Sequence, residues 1–425
     1  MEKKQTNFLI LGGGISGLTF ANYVDDYLIV EKEERIGGYC KTTLKNGYVW
    51  DYAGHFFHFN TKEWKEKFIN KIDKEDIIYK NKCTKIYYKG KLIDYPFQKN
   101  IHQLHKNEFI DCLYDLFTKE EKDKYDNFLD MLYGKFGKSI TEKFLKPYNE
   151  KLYACDLKLL DTNAMGRFFP YADKNDIIKN MKNNDDVSYN NVFLYPKKGA
   201  ESFINIISKD LSKERIILNT KIHNIDTKNK IAYSDDYEIH YTFLVNTIPL
   251  NNFLALLGEK YHSLKEELSY NQVLVFNLGF NKKSKFSQEH WIYFPDKKIN
   301  FYRAGFYDNI LDSDKLSMYI EIGYPKDYKI TDNEIQRQLK ETLVNLKKVG
   351  ITDETFKLEE YEAIIMSPAY VHIETKTEEK IKTLFKELET QKIYSIGRYG
   401  GWTYCSMEDS MIKAKSLAEK IKKNF

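Results

Sequence analysis

The stretch FLILGGGISGLTF, Phe8 to Phe20, decides the fold. Phe8–Leu11 is an apolar run that reads as a buried parallel strand, and Gly12, Gly14 and Gly17 follow in Gly-x-Gly-x-x-Gly order. Glycines at this spacing let a strand turn tightly into a helix whose first amides face a diphosphate. Alone, the pattern is equally satisfied by a closely packed turn with no ligand. The next stretch, YLIVEKEERIGGYCKT, narrows the choice. Tyr27–Val30 reads as a second apolar strand ending in Glu31, about 20 residues after the first glycine, where a carboxylate accepts the ribose hydroxyls of an adenosine. Gly37 and Gly38 come soon after. Two separated halves of one dinucleotide site are more specific than either half.

Lys3 and Lys4 ahead of an apolar run also suggest a secretory signal. The glycines interrupt that run, no small-x-small cleavage site follows, and Asp25 and Asp26 come too soon, so the signal reading is rejected. A chain of 425 residues, 42% of them hydrophobic, can fill two or three packed units. The 66 basic and 62 acidic residues leave a formal charge of +4, with lysines spread along the chain, which suits a solvated surface and requires no nucleic acid partner. Cys40, Cys83, Cys112, Cys155 and Cys405 are far apart and odd in number, with no metal-like pair. A reduced, cytoplasmic protein is expected. No apolar run reaches the roughly 18 residues that would signal a membrane span.

No internal repeat or low-complexity linker interrupts the chain. From about 103 to 190, helix formers carry apolar residues at three- and four-residue spacing, as in FIDCLYDLF and YDNFLDMLYGKF, which predicts a helical subdomain. From Val192 a loop and helix lead to alternating segments, RIILNTKIHNI and KIAYSDDYEIHYTFLVNTIP, that read as strands rejoining the first unit. VLVFNLGF, HWIYF, NFYRAGFY and SMYIEIGY, from about residue 272, predict an antiparallel sheet. The last stretch, KIYSIGRYGGWTYCSMEDSMIKAKSLAEKI, reads as strand, glycine-rich turn and amphipathic helix. The expected architecture is α/β, with a Rossmann-type nucleotide domain assembled from 1–102, 191–254 and 391–425, a helical insertion at 103–190 and an antiparallel sheet domain at 255–390.

In order along the chain, these motifs resemble a known family. GGGISGL with Glu31 and Gly37–Gly38 is similar to the FAD-binding signature of the flavoproteins that include amine oxidases, protoporphyrinogen oxidases and UDP-galactopyranose mutases. GYVWDYAGHFFHF, YPFQKNIHQL, FLKPYNEKLYA, WIYFPD, FYRAGFY, SPAY and GRYGGWTY resemble motifs of the mutases in the same order, over nearly the whole chain. The resemblance implies FAD, active when reduced. It also implies a reaction without net redox change, in which flavin N5 attacks the anomeric carbon and the pyranose and furanose forms of a nucleotide-diphosphate sugar interconvert. A cellular reductant such as NAD(P)H and a place in polysaccharide biosynthesis are implied as well, and an oligomer is left open. Because the cofactor makes the difficult bonds, the protein has to hold the flavin, clamp a diphosphate and exclude water and oxygen. The chain accordingly has no Gly-x-Ser-x-Gly turn and no His-Glu-x-x-His.

Residue by residue, the resemblance assigns Gly12, Gly14, Gly17, Glu31, Gly37, Gly38, Arg398 and Gly400 to FAD binding, with Arg398 on the diphosphate. It puts His55 of AGHFFHF beside the isoalloxazine ring, to hydrogen-bond and to stabilise the reduced anion electrostatically. Arg303 of FYRAGFY matches the arginine on the substrate diphosphate, a task suited to a guanidinium because it meets phosphate oxygens two at a time. His55 and Arg303 are the expected catalytic residues. Tyr293, Tyr370 and Tyr404 match tyrosines around the diphosphate and sugar, and Gln98 and Asn149 are assigned to the substrate. Half-buried packing explains any single one of 33 tyrosines equally well, so these count as a set. One position departs from the family. Lys146 stands before the PYN motif where arginine is usual, which keeps the charge and loses the planar fork; either it meets the substrate diphosphate and bears on which substrate is held, or it is a spectator on a helix face.

The rival reading is an FAD-dependent oxidase of the amine oxidase or protoporphyrinogen oxidase type, which shares the whole nucleotide signature. An amine oxidase favours an aromatic cage without a strong cation over the flavin, whereas a mutase needs Arg303 there. Cys405, in TYCSM, lacks the pattern of a covalent flavin link and reads as a small buried hydrophobe. A non-catalytic flavin-binding protein is the third class, and no feature of the sequence favours it.

Overall fold

A computed structural model describes residues 1–182 and 192–424. The strand Glu2–Leu11 lies inside a sheet, parallel to Tyr237–Asn246 on one side and Tyr27–Val30 on the other. Ile216–Ile217 and Ile393–Ser395 add further parallel strands, and the hairpin Asn224–Asp226/Ile231–Tyr233 closes one edge. Parallel strands are buried on both faces where helices cover them, which is why Leu9–Leu11, Tyr27–Val30 and Phe243–Val245 are continuously apolar and buried. Successive side chains take opposite faces. Leu9 and Leu11 pack with Phe253, Leu254 and the Thr375–Thr390 helix, while Ile10 packs with Leu18, Phe203 and Ala414 of the helices on the other side.

The second sheet runs Leu358–Met366, Asn271–Phe280, Ser317–Pro325, Arg303–Phe306, Trp291–Tyr293, Thr84–Tyr88 and Lys91–Asp94. The strands between 271 and 366 pair antiparallel, in agreement with the sequence reading. Two domain boundaries are corrected. The hairpin 84–94, expected in the nucleotide unit 1–102, joins this sheet through a parallel pairing of Thr84–Ile86 with Trp291–Tyr293. Conversely, the Thr375–Thr390 helix, expected in the 255–390 sheet unit, buries Ile381, Leu384 and Leu388 against the first sheet. Alternation identifies a strand and periodicity a helix, but neither says which distant partner will cover the apolar face.

The helices Lys106–Thr118, Phe128–Ile140 and Lys146–Tyr153 form the expected insertion, together with Lys174–Lys182; the stretch 183–190 of that prediction lies outside the described residues. Phe97, Phe128, Leu132, Phe136 and Phe144 share one core with Ile86, Val273, Val275 and Tyr319 of the second sheet. The insertion is therefore packed onto the sheet, and a cleft forms where both meet the nucleotide unit. Among the described residues no helix is long and apolar enough to cross a membrane, and no group of three or more His, Cys, Asp or Glu is placed to hold a metal ion.

Candidate active site

Backbone contacts assemble the nucleotide end. Gly12 has φ +100°, and a Cβ on Gly17 would stand 2.2 Å from the Gly12 carbonyl oxygen, so only hydrogen fits at either place. The Gly13 N–H donates to Glu31 Oε2 at 2.7 Å, and the Glu33 N–H donates to Glu31 Oε1 at 3.0 Å. Each carboxylate oxygen retains a further lone pair for an incoming hydroxyl. Gly37 N–H donates to Gly13 O at 2.8 Å, which brings Gly38 against Gly14; a Cβ on Gly38 would sit 3.4 Å from the Gly14 Cα. From the far end of the chain, Gly397 abuts Ser16, with 2.4 Å between its virtual Cβ and Oγ, and Gly400 abuts the Asn246 carbonyl at 3.0 Å. All the predicted glycines thus converge on the end of the first sheet.

Beyond this cradle lies Arg398. Its Nη1 donates to the Cys405 carbonyl at 3.2 Å, and its guanidinium carbon stands 4.4 Å over the Tyr404 ring and 5.3 Å over Tyr370. Tyr370 and Tyr404 stack on each other with centroids 5.9 Å apart and planes at 18°. Arg398 Nε is buried without a hydrogen-bond partner, as is His55 Nδ1. Burial pushes the His55 imidazole down to about 4, and the charges of Arg398 and Arg303 push the same way. The expectation of electrostatic help from His55 is revised accordingly. The ring is neutral at ordinary pH and offers a hydrogen bond, while positive charge at this point comes from the two arginines.

The adjoining cavity, about 530 Å³, is lined by Arg303, Tyr293, Tyr404, Arg167, Tyr95 and Trp291 among others. Arg303 sits directly across from Glu321 on the neighbouring strand and is gripped at two points, Nε to Oε2 and Nη2 to Oε1, the latter at 2.6 Å. This is no surface ion pair, since the Glu321 side chain is only 3% exposed and that of Arg303 19%. Burial is the largest influence and opposes the arginine's charge, but Glu321 together with Tyr370 and Tyr319 more than offsets it and holds the pKa well above the usual value. Two hydrogen bonds hold the planar fork, and Arg303 lines the cavity together with Tyr293, Tyr95 and Tyr404. Tyr293 accepts a 3.0 Å hydrogen bond from Trp291 Nε1 and packs against Tyr148 and Tyr95, with centroids at 5.0 and 5.3 Å.

Other predicted residues fall differently. Lys146 does not line the cavity; its ammonium pairs with Glu142 one helical turn back, at 3.1 Å. Gln98 is fully buried and donates to the carbonyl of Pro170, itself a cavity residue, so it supports the wall while its Oε1 has no partner. Asn149 is buried, donates to Leu145 O at 2.6 Å and leaves Oδ1 without a partner. Sequence reasoning missed Arg167, which lines the cavity from the turn Gly166–Phe168 and reaches Asp409 at 2.6 and 2.7 Å. The signal was there: an arginine beside aromatics in MGRFF, the same feature that marked Arg303. Glu321 was missed too, although a lone carboxylate inside the apolar run SMYIEIGY implies a buried partner.

Fold and site together define an α/β architecture with two seven-stranded sheets, in which a Rossmann-type cradle adjoins a cationic, tyrosine-walled cavity. The sequence family described as NAD(P)-binding Rossmann-like domain matches residues 10–72. The fold is that of UDP-galactopyranose mutase. The crystal structure of the reduced form of that enzyme matches with TM-score 0.92 at 20% identity, covering 99% of this chain and 94% of the other. A provisionally assigned protoporphyrinogen oxidase from Exiguobacterium sp. matches at 0.77 and 17% identity over the full length of both chains. A redesigned putrescine oxidase matches at 0.64 and 11% identity over 99% of each. At such identities the likeness establishes the fold, which oxidases and a mutase share.

Proposed function

We propose that this protein is an FAD-dependent isomerase that interconverts the pyranose and furanose forms of a nucleotide-diphosphate sugar. The observation that carries the reading is Arg303, fixed by a buried carboxylate and facing a cavity that also receives Arg167. Two guanidiniums suit a doubly charged diphosphate, and an oxidase of amines has no use for them. The Gly14–Gly38 approach suits a cofactor diphosphate, Glu31 a ribose, and the partnerless His55 Nδ1 and Arg398 Nε a polar ring system. Bound FAD, reduced by a donor such as NAD(P)H, would supply the nucleophile for the anomeric carbon with no net redox change. The chain's own residues hold the diphosphate through Arg303 and Arg167, orient the sugar against Tyr293, Tyr370 and Tyr404, and keep water out with the aromatic walls. Asn149 and Gln98 serve the substrate wall, and Lys146 is a spectator.

The flavin-oxidase reading draws on one observation, the aromatic wall in which Phe56 and Trp291 stack at 5.2 Å. One experiment separates the two. The protein, reduced with dithionite under anaerobic conditions, is incubated with UDP-galactopyranose and with its furanose isomer, beside an oxidised control. Ring interconversion confined to the reduced sample supports the isomerase. No conversion, with flavin reduction by an amine or porphyrinogen and peroxide release, transfers the protein to the oxidases.

A further inference from the structure

One half-buried cation holds the loop between the two site strands. Residues 294–302 connect Trp291–Tyr293 to Arg303–Phe306, and Tyr293 and Arg303 pair across the base of that loop. Lys151, in the last turn of the Lys146–Tyr153 helix, donates to the carbonyl oxygens of Phe294 at 2.7 Å, Asp296 at 3.1 Å, Ile299 at 2.9 Å and Phe301 at 2.5 Å. An ammonium has three protons, so four carbonyls around it form the kind of oxygen shell that a monovalent ion takes. Phe294, Ile299 and Phe301 are all buried, and without a cation their carbonyls would be left costly and unsatisfied.

The rest of that helix end is docked just as firmly. Asn271 Nδ2 donates to Leu152 O at 2.5 Å, His372 Nε2 lies 2.9 Å from Tyr153 O, and a Cβ on Gly323 would stand 2.3 Å from the carbonyl of Lys151. The same helix presents Tyr148, in edge contact with Tyr293 at 5.0 Å, and Asn149. Helix end, loop and site strands are therefore one mechanical unit with Lys151 at its centre.

We propose that Lys151 is a positioning residue, a built-in cation that fixes the 294–302 loop on the helix end and thereby sets Arg303 and Tyr293 against Tyr148. The inference rests on the reading that this cavity receives a nucleotide diphosphate. Burial pushes the Lys151 ammonium down to about 7, opposed by Asp296; the other charged groups at the junction, Lys297 and Glu150, pair with each other at 2.7 Å. Raising the pH thus removes the charge from the shell.

The test uses flavin-loaded wild-type, K151M and K151R proteins, with UDP as the probe in calorimetry and amide exchange read across 293–303. K151M is expected to retain flavin, weaken UDP binding about tenfold and exchange faster in the loop. From about pH 6.5 to about 8.5 the wild type should lose UDP affinity and K151R should not, because arginine stays charged and the ionisation of UDP is common to both. Wild-type UDP affinity in K151M would overturn the proposal. If K151M fails to load flavin, the other pair decides: divergent pH profiles support it and parallel ones overturn it. No UDP binding by wild type at any pH would instead remove the nucleotide reading, and unchanged loop exchange in K151M would then overturn the positioning role by itself.

Discussion

The two ends of the cleft are made in contrasting ways. At the nucleotide end the fitting parts are backbone, Gly12, Gly14, Gly17, Gly37, Gly38, Gly397 and Gly400, and at Gly12, Gly17 and Gly397 a virtual Cβ would fall within 2.7 Å of a neighbouring atom. At the substrate end they are side chains, Arg303, Arg167, Tyr293 and Tyr404, delivered from separate segments and braced by partners remote in sequence, Glu321 and Asp409. A backbone cradle has almost no freedom to vary. A side-chain clamp can be altered one residue at a time, and under the proposed function substrate choice resides there.

The sharpest break of this contrast is Gly17→Ala. With a methyl 2.2 Å from the Gly12 oxygen, the variant should not retain flavin, as read by visible absorbance after gel filtration. Retained flavin would mean that the cradle is more forgiving than the contrast allows. Next comes Arg303→Ala, which should keep its flavin and lose turnover by about a hundredfold or more. It should also lose roughly 3 kcal/mol in urea unfolding, because buried Glu321 is left unpaired. Normal turnover would reduce Arg303 to a structural residue.

Arg167→Ala and Lys146→Ala sharpen the contrast within the clamp. UDP affinity should fall about tenfold in the first, while the exposed Lys146–Glu142 pair contributes under about 1 kcal/mol and its loss should leave affinity within about twofold. Equal effects would restore Lys146 to the site.

The smallest effect is a slope in stability with pH. His55, His58, His290 and His372 are all lowered by burial to about 4 from an ordinary 6.5, so between those values the unfolded chain binds more protons and stability rises with pH. Burial raises Asp51 to about 6 and Asp308 to about 7 from 3.8, and there the folded state binds more protons, so their contribution falls as pH rises. Four groups against two give a urea midpoint that climbs from about pH 4.5 to 6.5, and Asp51→Asn should climb more steeply. A parallel slope in that variant would remove Asp51 from the balance.

Legibility in the sequence follows the same division. The Gly-x-Gly-x-x-Gly turn, Glu31 and the C-terminal Gly-Arg-Tyr-Gly-Gly turn could be read directly, because strand, turn and helix are contiguous and each constraint acts over a few residues. The helical insertion and the long strands from 272 were readable from periodicity for the same reason. Arg303 could be picked out by its aromatic neighbours, but Glu321, which holds it, lies eighteen positions on and faces it only through cross-strand register. Lys146 was overvalued because a motif records neighbours along the chain and not the direction of a side chain, which here leads to Glu142.

By itself, then, the amino-acid sequence determined the two sheets, the helical insertion and the nucleotide cradle, whose physics is local: period, turn and the absence of a Cβ. Only the tertiary structure decided that the 84–94 hairpin belongs to the second sheet, that Arg167 rather than Lys146 reaches the cavity, and that Lys151 lies inside a shell of loop carbonyls. Those outcomes depend on which distant surfaces bury one another, and burial is a property of the folded whole.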